Sequence, residues 1–252
     1  MTHEIEIIAE LGVNFRSLGE AKDMIVSAAN AGVDSVKFQA FLPEHVAGHP
    51  KAKELLECSI DKQKAEELMR WASDVDFFVT PFYPEAVDFL EEVGVKKYKI
   101  REKDARILVS EDGSSSPVEA TPLIKRIMET RKPVYMSVQR KPLDMHWMYH
   151  PQVSWLYCVP KYPTPLEDLE LWKCFFDYGF SCHTPEVVAP VTAAVMMMHA
   201  KTFHGSKVIE VHVSNEPKSD YVDGNVSFNF EELAQVVKMV RAVEKENLER
   251  PF

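Results

Sequence analysis

Two histidines have the type and setting that chemistry needs. His183 in FSCHT (180–184) and His212 in IEVHV (209–213) each fall near the end of a short apolar, strand-like run. Neutral imidazoles presented by neighbouring strands are natural ligands for a divalent cation, and equally they can be buried histidines hydrogen-bonded to the surrounding wall. The pair lacks the third protein ligand of a catalytic zinc centre, so positions left to water or substrate oxygen suit a harder ion, manganese or magnesium. Lys37 in VKFQ and Lys99 in YKI sit in runs that are otherwise apolar. A buried unpaired ammonium is costly, so each needs an anion, either a protein carboxylate such as Glu10 or a ligand. Two lysines plus Arg101 exceed what one glutamate neutralises, and that excess points to a bound phosphate or carboxylate. The same lysines could instead form a Schiff base, given a pKa lowered by burial.

Residues so far apart in sequence need a scaffold that brings strand ends together. Strand-like runs occupy 4–12, 35–40, 77–82, 96–100, 133–138, 153–159, 179–184 and 207–213, separated by stretches with helical spacing. The helical patterns are LGEAKDMIVSAANAG, KQKAEELMRWAS, PEAVDFLEEVG, ATPLIKRIMETR, a weaker PLDMHWMYH, PLEDLELWKCFFDYG, VVAPVTAAVMMMHAK and NFEELAQVVKMVRAVEKENL. In the last, Asn229 and Glu232 have the form of a capping box, and Gly32, Gly94 and Gly179 fall where helices should stop. Strand then helix, eight times over, predicts an α/β protein, a single (β/α)8 TIM barrel over 1–252. A doubly wound open sheet is the alternative, but its glycine-rich first turn is missing, since the run here is LGVNFRSLG.

On a barrel the site forms at the C-terminal ends of the strands. The polar residues expected there are Glu10, Asn14, Lys37, Gln39, Thr80, Lys99, Arg101, Ser137, Tyr162, Ser181, His183, Glu210 and His212. The long connections 41–60 and 101–119, the second containing EDGSSSP, would lie on the same face. The MMMHA stripe (196–200) reads as barrel-packing helix, and pleat alternation should turn Cys182 away from the His183 face.

Composition sets the remaining bounds. The 252 residues carry a net charge of -10, which disfavours nucleic acid and anionic membrane surfaces as partners. The four cysteines form no CxxC pair, the N-terminus does not read as a signal peptide and no run is long and apolar enough to span a bilayer, so a cytoplasmic protein is expected.

Taken in order, AELGVN (9–14), VKFQ (36–39), VTPF (79–82), YKI (98–100), YPTPLEDL (162–169), FSCHT (180–184), IEVHV (209–213) and VDGNVS (222–227) resemble the N-acetylneuraminate (sialic acid) synthase family, from residue 5 to about 245. The resemblance implies a barrel that condenses phosphoenolpyruvate with an N-acetylated aminosugar aldehyde, releasing phosphate and forming a 2-keto sugar acid. It implies a metal on His183 and His212 that polarises the aldehyde oxygen, and a Glu10 that orients water or moves a proton. Lys37 and Lys99 match its anion-holding lysines, Thr80, Ser137 and Ser181 its hydroxyls around phosphate, and Gln39, Tyr162 and Asp223 positions near the sugar. Departures concentrate on the phosphate side. Arg101-Glu102-Lys103-Asp104 follows YKI where the family has a small residue and a serine, Pro160 replaces an asparagine, and Val138-Gln139 replaces threonine-glycine after Ser137. Cys182 replaces an aspartate and Phe15 a histidine. Arg101 could supply the lost donors by bidentate contact, or the pocket could take a different acid. The family's C-terminal antifreeze-like domain, which reaches into a partner's site in a homo-oligomer, is expected to be absent. Glu102 and Pro160 also leave open a barrel that serves as a binding or scaffold subunit.

Overall fold

A computed structural model describes residues 3–109, 118–200, 204–216 and 221–249. The elements run in the order β1 (Ile5–Gly12), α1 (Leu18–Ala31), β2 (Ser35–Ala40), α2 (Pro43–Val46), α3 (Ala52–Cys58), α4 (Lys62–Trp71), β3 (Asp76–Pro81), α5 (Pro84–Val93) and β4 (Tyr98–Ile100). They continue with α6 (Glu102–Ala105), α7 (Pro122–Glu129), β5 (Val134–Val138), α8 (Met145–Met148), β6 (Val153–Tyr157), β7 (Gly179–Cys182), α9 (Val188–His199), β8 (Lys207–His212) and α10 (Phe230–Glu249). The eight strands form one parallel sheet in the order β3-β2-β1-β8-β7-β6-β5-β4. The end strands β3 and β4 approach with Cα atoms within 8 Å but share no backbone ladder, so the barrel is closed except at that seam. The expected fold is the observed one.

Local chemistry explains most boundaries. Ser17 caps α1 by accepting the Glu20 N–H, and Asp61 does the same for α4 through the Lys64 N–H. Asn229 and Glu232 exchange reciprocal side-chain-to-backbone bonds of 2.8 and 2.9 Å, the expected capping box. Gly32 and Gly94 end α1 and α5 in the left-handed conformation that glycine adopts without penalty. Wall strands buried on both faces, with Ile7, Ile8, Phe38, Phe78, Tyr98 and Ile209 at most 1% exposed, account for the near-continuous apolar runs.

Two expectations fail. The segment PLEDLELWKCFFDYG forms no α-helix but two 3-10 pieces, Leu166–Asp168 and Leu171–Phe176. The Tyr157 hydroxyl takes the Glu170 N–H at 2.9 Å, removing a donor that a continuous helix would use. Gly179 is not a helix stop. The left-handed residue there is Asp177, while Gly179 opens β7, where an added Cβ would lie 2.7 Å from the Val208 carbonyl oxygen. The long connection after β2 holds α2 and α3, and that after β4 begins with α6; EDGSSSP lies outside the described residues. At the N-terminal end of the barrel Lys97 pairs with Glu6 and donates to Ser35 Oγ at 2.7 Å. Among the described residues no helix is long and apolar enough to cross a membrane.

Candidate active site

Strand register sets the site. Glu10 on β1 stands level with Lys37 on β2 and with His212 on β8, and Ser181 on β7 stands level with Glu210 on β8. These side chains meet at the C-terminal ends of the strands in a cavity of about 320 Å³. Of the residues expected there, Glu10, Lys37, Gln39, Thr80, Lys99, Arg101, Ser137, Tyr162, Ser181, His183, Glu210, His212 and Asp223 line it, whereas Asn14 does not, its amide being tied to Val213 and Ser227. Cys182 does not; its thiol donates to the Thr184 carbonyl at 3.3 Å, as the pleat requires.

Gly12 makes room for this arrangement. The ladder between β1 and β2 shifts register between Glu10 and Gly12, and Gly12 has φ +26°. A Cβ at this position would lie 2.1 Å from Glu10 Oε1 and 2.8 Å from Gln39 Nε2, so only glycine lets the carboxylate fold over the strand.

The charge balance corrects the sequence reading. Glu210 on β8 is a second buried carboxylate at the centre: it accepts from Lys99 at 2.7 Å and from Ser181 at 3.0 Å and lies 3.2 Å from Lys37. Lys37 also pairs with Glu10 and donates to Thr80 Oγ1 at 3.2 Å. Arg101 is engaged by Asp104 and lies over the Phe82 ring at 3.6 Å, while Glu102 is held by Arg106. The inferred surplus of positive charge is thus largely taken up inside the protein, and it no longer calls for a bound anion. Glu210 shares the His212 face at i, i+2, a pleat signal that marks it as a site residue, although its role as partner of both lysines is not visible in sequence.

Burial and these partners set the protonation states. Burial pulls Lys37 down, but Glu10 and Glu210 outweigh it and hold the ammonium above the usual lysine range. For Lys99 burial prevails over Glu210, and its value lies below the ordinary one. Burial pushes the Glu10 carboxyl up against the pull of Lys37. Glu210 goes the other way, since Lys37 and Lys99 together overcome its burial and hold it ionised.

The imidazoles of His183 and His212 converge, with ring centroids 5.3 Å apart and planes tilted by 59°. Burial, reinforced by His212, pushes His183 down to about 3, so it is neutral, as a ligand must be. His212 Nδ1 lies 3.3 Å from Asp223 Oδ2 without hydrogen-bond alignment; burial pulls its value down, and Asp223 more than offsets this. Asn14 positions the Asp223 segment, accepting the Asp223 N–H at 3.1 Å and donating to the Val213 carbonyl at 3.0 Å and Ser227 Oγ at 2.9 Å.

Five buried side-chain N and O atoms without an aligned hydrogen bond border this cavity; Glu10 Oε2 and Glu210 Oε2 still face Lys37 and His212 Nδ1 faces Asp223, which leaves Glu10 Oε1 and Ser137 Oγ, among the described residues, open to a ligand. No cluster of three or more His, Cys, Asp and Glu side chains suited to a metal occurs among the described residues. The two converging imidazoles are the side chains here that could hold a divalent cation, provided water or substrate oxygen supplied the remaining positions. Cys158, not foreseen as a neighbour, packs its sulfur 3.6 Å from His183 Nδ1, and burial pushes its thiol up to about 12, so it stays protonated.

The crystal structure of N-acetylneuraminic acid (sialic acid) synthetase from Leptospira borgpetersenii superposes with a TM-score of 0.81 over 99% of this chain and 87% of that one, at 23% identity, and shares the barrel. N-acetylneuraminate-9-phosphate synthase of Homo sapiens is 30% identical over 275 residues, covering 96% of this chain and 71% of the human protein. N,N'-diacetyllegionaminic acid synthase of Campylobacter jejuni is 26% identical over 276 residues, covering 95% of this chain and 76% of its own. The NeuB family pattern matches residues 24–249, a span that takes in both lysines, both imidazoles and Glu210. By that match, and by an identity to the human synthase that runs nearly end to end, the chain belongs to the NeuB family.

Proposed function

We propose that this barrel is a metal-dependent synthase that joins phosphoenolpyruvate, or a closely related small acid, to an N-acylated aminosugar aldehyde, giving a 2-keto sugar acid of the sialic acid type. The observation that carries the reading is the convergence of His183, His212, Glu10, Lys37 and Lys99 on one cavity. The names of the human and Campylobacter relatives indicate products of this class.

His183 and His212 would hold manganese or magnesium, which when bound supplies Lewis acidity to the aldehyde oxygen. Lys37, kept cationic by two carboxylates, and Lys99 orient the acid, whose third carbon bonds to the aldehyde carbon. Ser137 Oγ, buried without a partner, is an available donor for the acid's oxygens, together with Thr80 and Ser181. Water then adds at the acid's second carbon, and the bond from that carbon to the phosphate oxygen breaks as the keto group forms, the hydroxyl proton leaving with inorganic phosphate. Glu10, a carboxylate whose affinity for a proton is raised by burial, takes the other proton of this water and passes it to the former aldehyde oxygen, which becomes a hydroxyl. Gln39, Tyr162 and Asp223, which line the same cavity, would contact the sugar.

Phosphate release with manganese, phosphoenolpyruvate and a panel of N-acylated aminosugars tests the proposal. Release should require sugar and metal together and should fall at least about a hundredfold in His183→Ala. Turnover unaffected by that substitution would refute it. Borohydride trapping separates the Schiff-base route: Lys37 is held protonated, Lys99, whose value burial lowers, is the lysine that route would use, and the metal route predicts no adduct on either. The expected cytoplasmic location and homo-oligomeric assembly belong to the same proposal, and fractionation and sedimentation would test them.

A further inference from the structure

One short segment, 159–164, grips His183 on three sides. The His183 Nδ1 proton goes to the Val159 carbonyl at 2.8 Å, the Tyr162 hydroxyl lies 2.9 Å from Nε2, and the Thr164 N–H donates to the His183 carbonyl at 2.7 Å. The first contact assigns the tautomer. A carbonyl can only accept, so Nδ1 carries the proton, Nε2 carries the lone pair, and the phenol is the donor to it. The Tyr162 ring also stacks on the imidazole, centroids 4.2 Å apart, and stands edge-on to His212 at 6.0 Å. Nε2 is thus the one ring atom through which His183 can bind a cation, and Tyr162 already holds it.

We infer that Tyr162 is a positioning residue that guards this lone pair. Phenol and cation compete for His183 Nε2, and a cation enters between the two imidazoles only as the hydroxyl leaves. The inference rests on the metal reading proposed above. The segment can accommodate the exchange, because Tyr162 as a residue is 51% exposed at the mouth, while the bond from the Thr164 N–H ties the segment's backbone to His183. Until a cation arrives, the phenol is the nearer donor to this buried nitrogen, with the Cys158 thiol farther off at 3.9 Å. Once displaced, the hydroxyl is available to a sugar hydroxyl or acyl oxygen at the mouth, so cation loading and sugar binding favour each other.

Titration of the full chain with manganese chloride, by calorimetry or by the loss of the free-ion spin-resonance signal, tests this. Tyr162→Phe keeps the stack and deletes the competing donor, so its Kd for manganese should fall about two- to tenfold below wild type. A merely structural role predicts the opposite sign, since loosening a ligand weakens binding. In wild type, manganese should also perturb tyrosine absorbance, a signal that Tyr162→Phe should lose. An unchanged or weaker Kd in a Tyr162→Phe protein of native circular dichroism would overturn the guard and leave the metal site standing. Failure of wild type to bind manganese at all would sink both.

Discussion

Glu210 touches both lysines, and its removal provides the most demanding test of the charge arrangement. In Glu210→Gln the shape is kept, but Lys99 loses the one carboxylate it pairs with among the described residues, while Lys37 retains Glu10. Breaking a buried pair from one side costs about 3–5 kcal/mol. A ceiling applies as well: a lysine of ordinary pKa near 10.4 can shed its proton at neutral pH for about 4.6 kcal/mol, so an unpaired Lys99 cannot cost much more than that. The penalty should depend on pH with a definite sign. In the variant the folded state holds fewer protons than the unfolded one, so its stability climbs toward wild type as pH rises through the window below the unfolded lysine value. Urea unfolding should give a loss of about 3–4.6 kcal/mol at neutral pH that narrows by about 1–3 kcal/mol at pH 9. A loss under about 1 kcal/mol, or a gap that stays constant with pH, would refute the assignment of Glu210 as the partner that keeps Lys99 charged.

Gly12→Ala should drive the Glu10 carboxylate off its place and strain a left-handed backbone, lowering stability by about 2–4 kcal/mol in urea; a neutral result would show that β1 can bend there freely. Glu102→Ser removes a buried carboxylate from the cavity edge and frees Arg106, so phosphoenolpyruvate should bind about tenfold more tightly by calorimetry, and an unchanged Kd would place that charge outside the acid's reach. Asn229→Ala breaks the capping box of α10 and should cost about 1 kcal/mol without altering manganese binding.

Much of this arrangement is legible in the sequence because the barrel imposes a simple rule. The strands are mostly apolar on both faces, so a charged or imidazole residue within one or just past its end, such as Lys37, Lys99, His212 or His183, stands out as a candidate for the end of the cylinder. The position of Glu210 on the His212 face follows from the same rule, but its pairing depends on which strands lie across the barrel, and no local pattern encodes that. Arg101 misleads for a related reason: its partner Asp104 is only three residues away, yet the pairing depends on the short helix α6 that begins at Glu102. The 166–176 segment has helical spacing, and the contact that prevents the helix comes from Tyr157 on another strand. Tertiary contacts, which sequence periodicity does not report, decide each of these cases.

The seam between β3 and β4 gives the ionic chain a mechanical meaning. Thr80 on β3, Lys37 on β2, Glu210 on β8 and Lys99 on β4 are linked in series across the bore at 3.2, 3.2 and 2.7 Å. They form a crossbar that ties together the two staves the backbone leaves unlatched. Any ligand that engaged Lys37 or Lys99 would act on the same side chains that span this seam.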